Sequence, residues 1–311
     1  MNILYVNLEK RLGPNMKQEI QAFIDYIHNV KKSSHNTEAS YKRDLIKMAE
    51  FFEGQGITDV RRINSTNVNS YVLYLEKNNM SSSTISRSIA SMRAFFHFEL
   101  SEGKIDREPT ELVKTPKTRK KAPSVLTVDE VERFLKVING KDEKSIRDKA
   151  MLELLYASGM RVSEIISLKL SDVNMQLGYI VCRSETTGRE RVIPFGNTTK
   201  QCLNKYLKSE RSKIVSDQDT EWLFVNCFGR KLSRQGYWKV LKGYAEKANI
   251  NKEVTPHTLR HSFAAHMVQN GADLKSVQEM MGHADISSTQ IYAQLTNSRL
   301  REVYAKAHPH G

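Results

Sequence analysis

Cysteine is scarce in this chain of 311 residues. There are three, Cys182, Cys202 and Cys227, spaced neither as a metal site nor as a disulfide framework. They read as reduced structural thiols, which suits a cytoplasmic protein. Long apolar runs are missing too: no stretch approaches the ~20 apolar residues that a membrane span needs. Met1 to Lys10 carries Glu9 and has no apolar core ahead of a small-residue cleavage site, so no signal peptide is visible. Internal repeats and low-complexity segments are also absent. What the chain does have is positive charge, 48 Lys+Arg against 35 Asp+Glu, a net of +13. That excess favours a polyanionic partner, and nucleic acid first. With 39% hydrophobic and 27% charged residues, the composition excludes a disordered tail, a collagen-like fibre and a disulfide mini-protein. The length allows one large domain or two ordinary ones.

The chain divides at Lys114-Thr115-Pro116-Lys117-Thr118-Arg119-Lys120-Lys121-Ala122-Pro123, which is proline-bounded, basic and without apolar periodicity. It reads as an exposed interdomain linker able to lie along a phosphate backbone, or as a plain solvated charge run. The expected boundaries are 1–113 for a helical domain, 114–124 for the linker and 125–311 for a second domain, with a tail over 295–311. Before the linker, four apolar stripes at helical spacing predict a small helical bundle: Ile20, Phe23, Ile24, Ile27; Tyr41, Leu45, Met48, Phe52; Val68, Tyr71, Val72, Leu75; and Ile85, Ile89, Met92, Phe96. Asn36 or Thr37, Ser65 or Thr66, and one of Ser81 to Ser83 are the candidate N-caps. Arg87 and Arg93 lie off the fourth stripe, as solvated arginines or as phosphate contacts.

The second part opens with a capping box, Thr127 to Glu130, ahead of Val131, Phe134 and Leu135. A helix through Met151, Leu154 and Leu155 stops at Gly159. Tyr179-Ile180-Val181 and Val192-Ile193 flank a polar turn, which predicts a strand hairpin, and Trp222 to Val225 is a candidate third strand. Helices are expected over 198–213, 233–248, 256–269, 273–281, 287–294 and 298–307. The fold class is therefore mainly α, a helical domain followed by a mixed domain with a small antiparallel sheet.

Thr255-Pro256-His257-Thr258-Leu259-Arg260 is the stretch richest in chemistry. Thr255 can cap, Pro256 suits the first helical position, and His257 and Arg260 lie one turn apart at a helix N-terminus. Free N–H groups and the helix dipole favour an anion there, and guanidinium beside imidazole suits a phosphodiester. A zinc reading of His257, His261 and His266 lacks both an intervening Glu and a cysteine pair. Gly282-His283 ends a later helix, and Tyr292 follows nine residues on. Upstream, Arg161 follows the helix-stopping Gly159, with Glu164 three residues further. Each of these has a bland reading alone, as a cap, a core tyrosine or an ion pair.

Taken in order, Arg161, His257-x-x-Arg260, Gly282-His283 and Tyr292 resemble the tyrosine recombinase (phage integrase) family, and its bacterial Xer-type members in detail. Leu154 to Glu164, Glu190 to Pro194, Ser233 to Gly236 and Leu259 to Ala264 carry further matches, and the likeness spans nearly the whole chain. It implies a SAM-like core-binding domain and a catalytic domain closed as a C-shaped clamp on DNA. It also implies cleavage through a covalent 3′-phosphotyrosine, strand exchange through a Holliday junction, and no cofactor, neither ATP nor metal. Tyr292 matches the nucleophile. Arg161 and Arg260 match the pair on the non-bridging phosphate oxygens. His257 matches a phosphate-contacting position also assigned to proton transfer, His283 the second histidine, which hydrogen-bonds the scissile phosphate, and Glu164 a supporting acid.

One position departs from the family. The usual catalytic lysine of the hairpin falls on Thr186, which cannot replace it as a cationic general acid. The chain is impaired or altered, or carries an engineered substitution, or Arg189 in the same turn donates instead. Lys117, Lys120, Lys121, Arg189, Arg234 and Gln235 are candidate DNA contacts beside Arg87 and Arg93. The partners implied are duplex DNA with an inverted-repeat recombination site, a homotetramer or a heterotetramer with a paralogue through exchange of the C-terminal tail, and a DNA translocase, with no membrane. The location implied is the cytoplasm, at the nucleoid. Chromosome-dimer resolution is expected over mobile-element integration, because no extra arm-binding domain precedes the core. A DNA-binding integrase-fold protein with impaired cleavage, and a type IB topoisomerase, are the rival readings.

Overall fold

The computed structural model describes residues 14–116, 123–184, 188–215 and 220–282. The chain separates into two compact units, Met1–Lys120 and Lys121–Gly311, a division that falls inside the basic segment. No helix among the described residues is long and apolar enough to cross a membrane.

In the first unit the four stripes become α1 (Pro14–Asn29), α2 (His35–Glu53), α3 (Ser65–Lys77) and α4 (Ser82–Ser101). Their apolar faces meet in one core that buries Phe23, Leu45, Met48, Phe52, Tyr71, Ile89, Met92 and Phe96 almost completely. Phe23 packs edge-on against Phe95, ring centres 5.7 Å apart. Burying each such side chain stabilises the unit by roughly 1.5–3 kcal/mol. Ser81 caps α4 as expected, but α2 is capped by Ser34 and α3 by Asn64. The Ser34 hydroxyl accepts from the Thr37 N–H at 3.2 Å, which places Asn36 and Thr37 already inside the first turn. Asn64 and Asn67 bond each other's backbone N–H, so Ser65 and Thr66 are helical as well.

In the second unit Thr127 and Glu130 form the expected capping box of α5 (Val128–Lys136). Then come α6 (Glu143–Ser158) and the short α7 (Val162–Ile166). The strands are β1 (Val173–Asn174), β2 (Tyr179–Arg183) and β3 (Glu190–Pro194), antiparallel in the order β1-β2-β3, with Ile180 opposite Ile193 and Cys182 opposite Arg191. The helix expected over 198–213 is α8 (Asn197–Lys205), one π-type turn over Tyr206–Glu210, and α9 (Arg211–Val215). After it come α10 (Arg234–Lys247), α11 (Pro256–Gln269) and α12 (Leu274–Met281). Trp222 to Val225 is not a strand. It makes isolated bridges only, Trp222 to Lys169 and Val225 to Lys231. Leu223, Phe224 and Val225 are all buried, so the run is apolar because it crosses the core, without the alternation of a half-exposed strand. The helices expected over 287–294 and 298–307, and the tail 295–311, lie outside the described residues.

Helix α11 runs through this core with Leu259, Phe263, Ala264 and Ala265 buried. Two of its buried polar residues, Ser262 and His266, are satisfied internally. Ser262 Oγ accepts from the Leu126 N–H at 2.9 Å. His266 lies between the Tyr156 hydroxyl at 2.8 Å and the Leu126 carbonyl at 2.9 Å, and burial pushes its pKa down. The ring is therefore neutral, donating through Nε2 and accepting at Nδ1.

Candidate active site

Two helix ends build the site. Helix α6 stops at Gly159, which adopts φ +58°, and the chain turns at once into α7 with Arg161 at its N-cap position. Helix α12 stops at Gly282, φ +64°. Both stops leave carbonyls without helical partners, and the two arginines take them. Arg260, only 4% exposed, donates through Nη1 to the Gly159 carbonyl and through Nη2 to the Met281 carbonyl, each at 2.5 Å. Arg161 donates through Nη2 to the Gly282 carbonyl at 3.0 Å. Adjacent carbonyls thus draw together two guanidiniums that lie about a hundred residues apart in the chain. Arg161 keeps 40% of its side chain exposed.

The counter-charge is Glu164, which is 5% exposed. It accepts from the Arg161 N–H at 2.7 Å and from Arg161 Nη1 at 3.1 Å. Arg191 of β3 adds a two-pronged contact, Nη1 to Oε1 at 3.0 Å and Nη2 to Oε2 at 2.8 Å. Burial raises the Glu164 pKa, but the Arg191 hydrogen bonds and charge, with Arg161, outweigh it and hold the carboxyl below its ordinary value. Cys182 lies across the ladder from Arg191, and burial first, then the Glu164 charge, pushes its thiol up to about 12. Two guanidiniums, those of Arg161 and Arg191, share this one carboxylate, and Arg260 holds the Met281 carbonyl next to the Gly282 carbonyl that Arg161 takes, so the cluster keeps a positive excess suited to a phosphodiester. Arg191 belongs to this cluster although the sequence argument quoted it only inside a motif. The available signal was its strand register, which places it on the face of buried Ile193.

His257 is exposed in the first turn of α11, where Thr255 and Thr258 cap each other reciprocally at 3.0 and 3.1 Å. His261 lies one turn on, its ring tilted by 32° to that of His257 with the ring centres 6.3 Å apart. Burial, then the neighbouring His257 and Arg260, push the His261 pKa down to about 4. Arg189 is exposed at the base of the hairpin turn, where its carbonyl accepts from the Ser184 N–H at 3.0 Å. Arg234 and Gln235 are exposed in the first turn of α10, after the Ser233 cap. Arg87 forms a two-pronged ion pair with buried Asp44 at 2.8 and 2.9 Å, and Arg93 donates to Val113 and Thr115, so both arginines have partners within their own unit. His283, Tyr292, Thr186, Lys117, Lys120 and Lys121 lie outside the described residues.

Family profiles match both units of the chain. The phage integrase family matches residues 124–299, and the phage integrase N-terminal SAM-like domain matches residues 20–103. The chain belongs to the phage integrase family. It is 44% identical to tyrosine recombinase XerD of Halalkalibacterium halodurans, over 94% of this chain and 98% of that one. It is 43% identical to tyrosine recombinase XerD of Oceanobacillus iheyensis, over 94% and 99%. The fold is similar to that of XerH site-specific recombinase bound to its palindromic difH substrate, with TM-score 0.73, 21% identity, and 86% of this chain and 79% of that one covered. A lambda integrase dimer on a core site gives TM-score 0.71 at 17% identity, over 88% and 94%. The chain is accordingly a tyrosine site-specific recombinase, an enzyme that binds, cuts and rejoins DNA.

Proposed function

We propose that this recombinase resolves chromosome dimers, with Tyr292 as its nucleophile and Arg161 and Arg260 as its phosphate clamp. The observation that carries the reading is the convergence of Arg161 and Arg260 on the adjacent carbonyls of Gly282 and Met281. In the proposed reaction the Tyr292 oxygen attacks phosphorus, the bond from phosphorus to the 5′-oxygen breaks, and a 3′-phosphotyrosine forms. The 5′-oxygen takes up a proton and leaves as a hydroxyl. A 5′-hydroxyl from the partner duplex then attacks the phosphotyrosine and restores the tyrosine. Charge gathers on the non-bridging oxygens in each transition state, where two oriented guanidiniums are worth several kcal/mol. His257 and His283 donate to the same phosphate, and Glu164 orients Arg161.

Thr186 supplies no cationic acid, and a general acid is worth roughly 10²–10⁴ in rate. Slow first-strand cleavage is the consequence, with exposed Arg189 of the same turn as the substitute donor. Arg234, Gln235 and the linker lysines Lys117, Lys120 and Lys121 contact DNA. Arg87 and Arg93 are secondary candidates for phosphate contact, since both are engaged within their own unit. Two duplexes bearing inverted-repeat sites are held by four protomers, each passing its tail 295–311 to a neighbour, with a DNA translocase as the controlling partner, at the nucleoid. The likeness to proteins named XerD supports chromosome-dimer resolution over mobile-element integration. A nicked suicide substrate tests the reading. The intact chain is expected to form an SDS-resistant adduct, Thr186→Lys to form it faster, and Tyr292→Phe to form none. An adduct with Tyr292→Phe rejects the nucleophile.

A further inference from the structure

We propose that Arg191 is a positioning residue for DNA cleavage. One guanidinium ties the hairpin, the Arg161 turn and the end of α12 into a single site. The proposal rests on the phosphate-gripping role given to Arg161 above.

The side chain of Arg191 is 14% exposed, and all three guanidinium nitrogens are committed. Nη1 and Nη2 hold the two oxygens of Glu164, and Nε donates to the Met280 carbonyl at 2.8 Å. Three elements therefore meet on one planar group: β3, which carries it; α7, which carries Glu164; and the last turn of α12. Gly282 closes this arrangement. A Cβ there would come within 3.0 Å of Arg191 Cζ and Nη1, so the guanidinium occupies the space a side chain would need. The backbone at Gly282 is also left-handed, so the position calls for glycine twice over. Its carbonyl in turn receives Arg161 Nη2.

Arg161 is thus linked to Arg191 by two routes, through Glu164 and through Gly282. Its own side chain is part-exposed, so without these restraints the orientation of its guanidinium toward a phosphate would be loose. Misplacement of a catalytic group by about 1 Å costs on the order of 10²-fold in rate. Arg191 itself is largely buried and each of its guanidinium nitrogens already has a partner within the protein, so it is poorly placed to contact DNA. Its loss should therefore slow cleavage and leave affinity alone. Lysine keeps the charge but its donors sit on a single nitrogen, without the planar fork that spans both Glu164 oxygens and the Met280 carbonyl, so it restores part of the effect.

The test is single-turnover cleavage of an inverted-repeat duplex selected for binding by the intact chain from a random pool. The scissile 5′-oxygen is replaced by sulfur, which leaves without a proton, so position 186 does not limit the rate. Arg191→Met is expected to cleave about 10–100-fold more slowly with Kd within about twofold of the parent, and Arg191→Lys to fall between. Adding Arg191→Met to Arg161→Lys is expected to slow that variant less than about threefold, since the residue acts through Arg161. If Arg191→Met lowers the melting temperature sharply, Arg191→Lys carries the same cycle. Parental cleavage by Arg191→Met overturns the proposal. So does a penalty of equal size in both backgrounds, which is what a loss of folded protein would produce. If Arg161→Lys cleaves as fast as the parent, the role of Arg161 itself is refuted. A slow Arg161→Lys beside an unaffected Arg191→Met refutes only the Arg191 link.

Discussion

Replacing Gly159 by alanine should damage the second unit far more than the same change at Gly188. Both glycines are left-handed, with φ of +58° and +65°, so both alanines carry the backbone penalty of about 1–2 kcal/mol. Their surroundings differ. A Cβ at Gly159 would lie 2.3 Å from Phe263 Cδ1 and 2.7 Å from Cε1, whereas a Cβ at Gly188 meets nothing within 4 Å. Phe263 is 5% exposed in a packed cluster and has little room to yield, so overpacking adds roughly 1–3 kcal/mol at Gly159 alone. The expected costs are about 2–5 kcal/mol for Gly159→Ala and about 1–2 kcal/mol for Gly188→Ala. At about 2–4 °C per kcal/mol for a unit of this size, the excess at Gly159 is roughly 2–12 °C in Tm. Calorimetry on the full-length variants reads it. Because the Gly159 carbonyl also receives Arg260 Nη1, cleavage below the melting range should fall for Gly159→Ala as well. Equal losses of stability would refute the packing argument and leave only backbone strain.

Two other predictions concern charge. Burial first, then the Glu19 charge, pushes the Glu99 carboxyl up to about 7 against the pull of Lys104 Nζ 3.8 Å away, and neither Glu99 oxygen has a hydrogen-bond partner among the described residues. A raised folded-state pKa means that stability is fully present below the ordinary carboxyl range and is lost as pH rises through about 7. Glu99→Gln should therefore raise Tm more at pH 8 than at pH 5, and an equal gain at both would contradict this. DNA affinity should fall steeply with salt, log K against log[salt] losing about 0.9 for each phosphate contact. Arg234→Ala should reduce that slope by about one, as titrations at several salt concentrations would reveal.

Features set by local chemistry were legible in the sequence. The four stripes of the first unit, the capping box at Thr127 and Glu130 and the stop at Gly159 each depend on residues a few positions apart. Neighbouring Ser, Thr and Asn residues competed for the same caps, so Ser34 and Asn64 could not be separated from Asn36 or Ser65 without the backbone. Trp222 to Val225 looked like a strand because a buried crossing and a buried strand have the same composition, while β1, two residues long, has no pattern to read. The order of Arg161, His257, Arg260, Gly282-His283 and Tyr292 pointed to the chemistry. The ties that orient the arginines were hidden, because they join residues far apart: Arg191 to Glu164 and Met280, and Arg260 to Gly159.

The central claim is that Tyr292 becomes covalently joined to DNA in a site gripped by Arg161 and Arg260. The most direct measurement is peptide mapping of the adduct formed on a nicked substrate, after exhaustive nuclease and protease digestion. The account predicts a single modified peptide, the one containing Tyr292, heavier by a nucleoside 3′-phosphate and lost in Arg161→Ala and Arg260→Ala. A phosphonucleotide on any other residue, or a 5′-linked one, would contradict it.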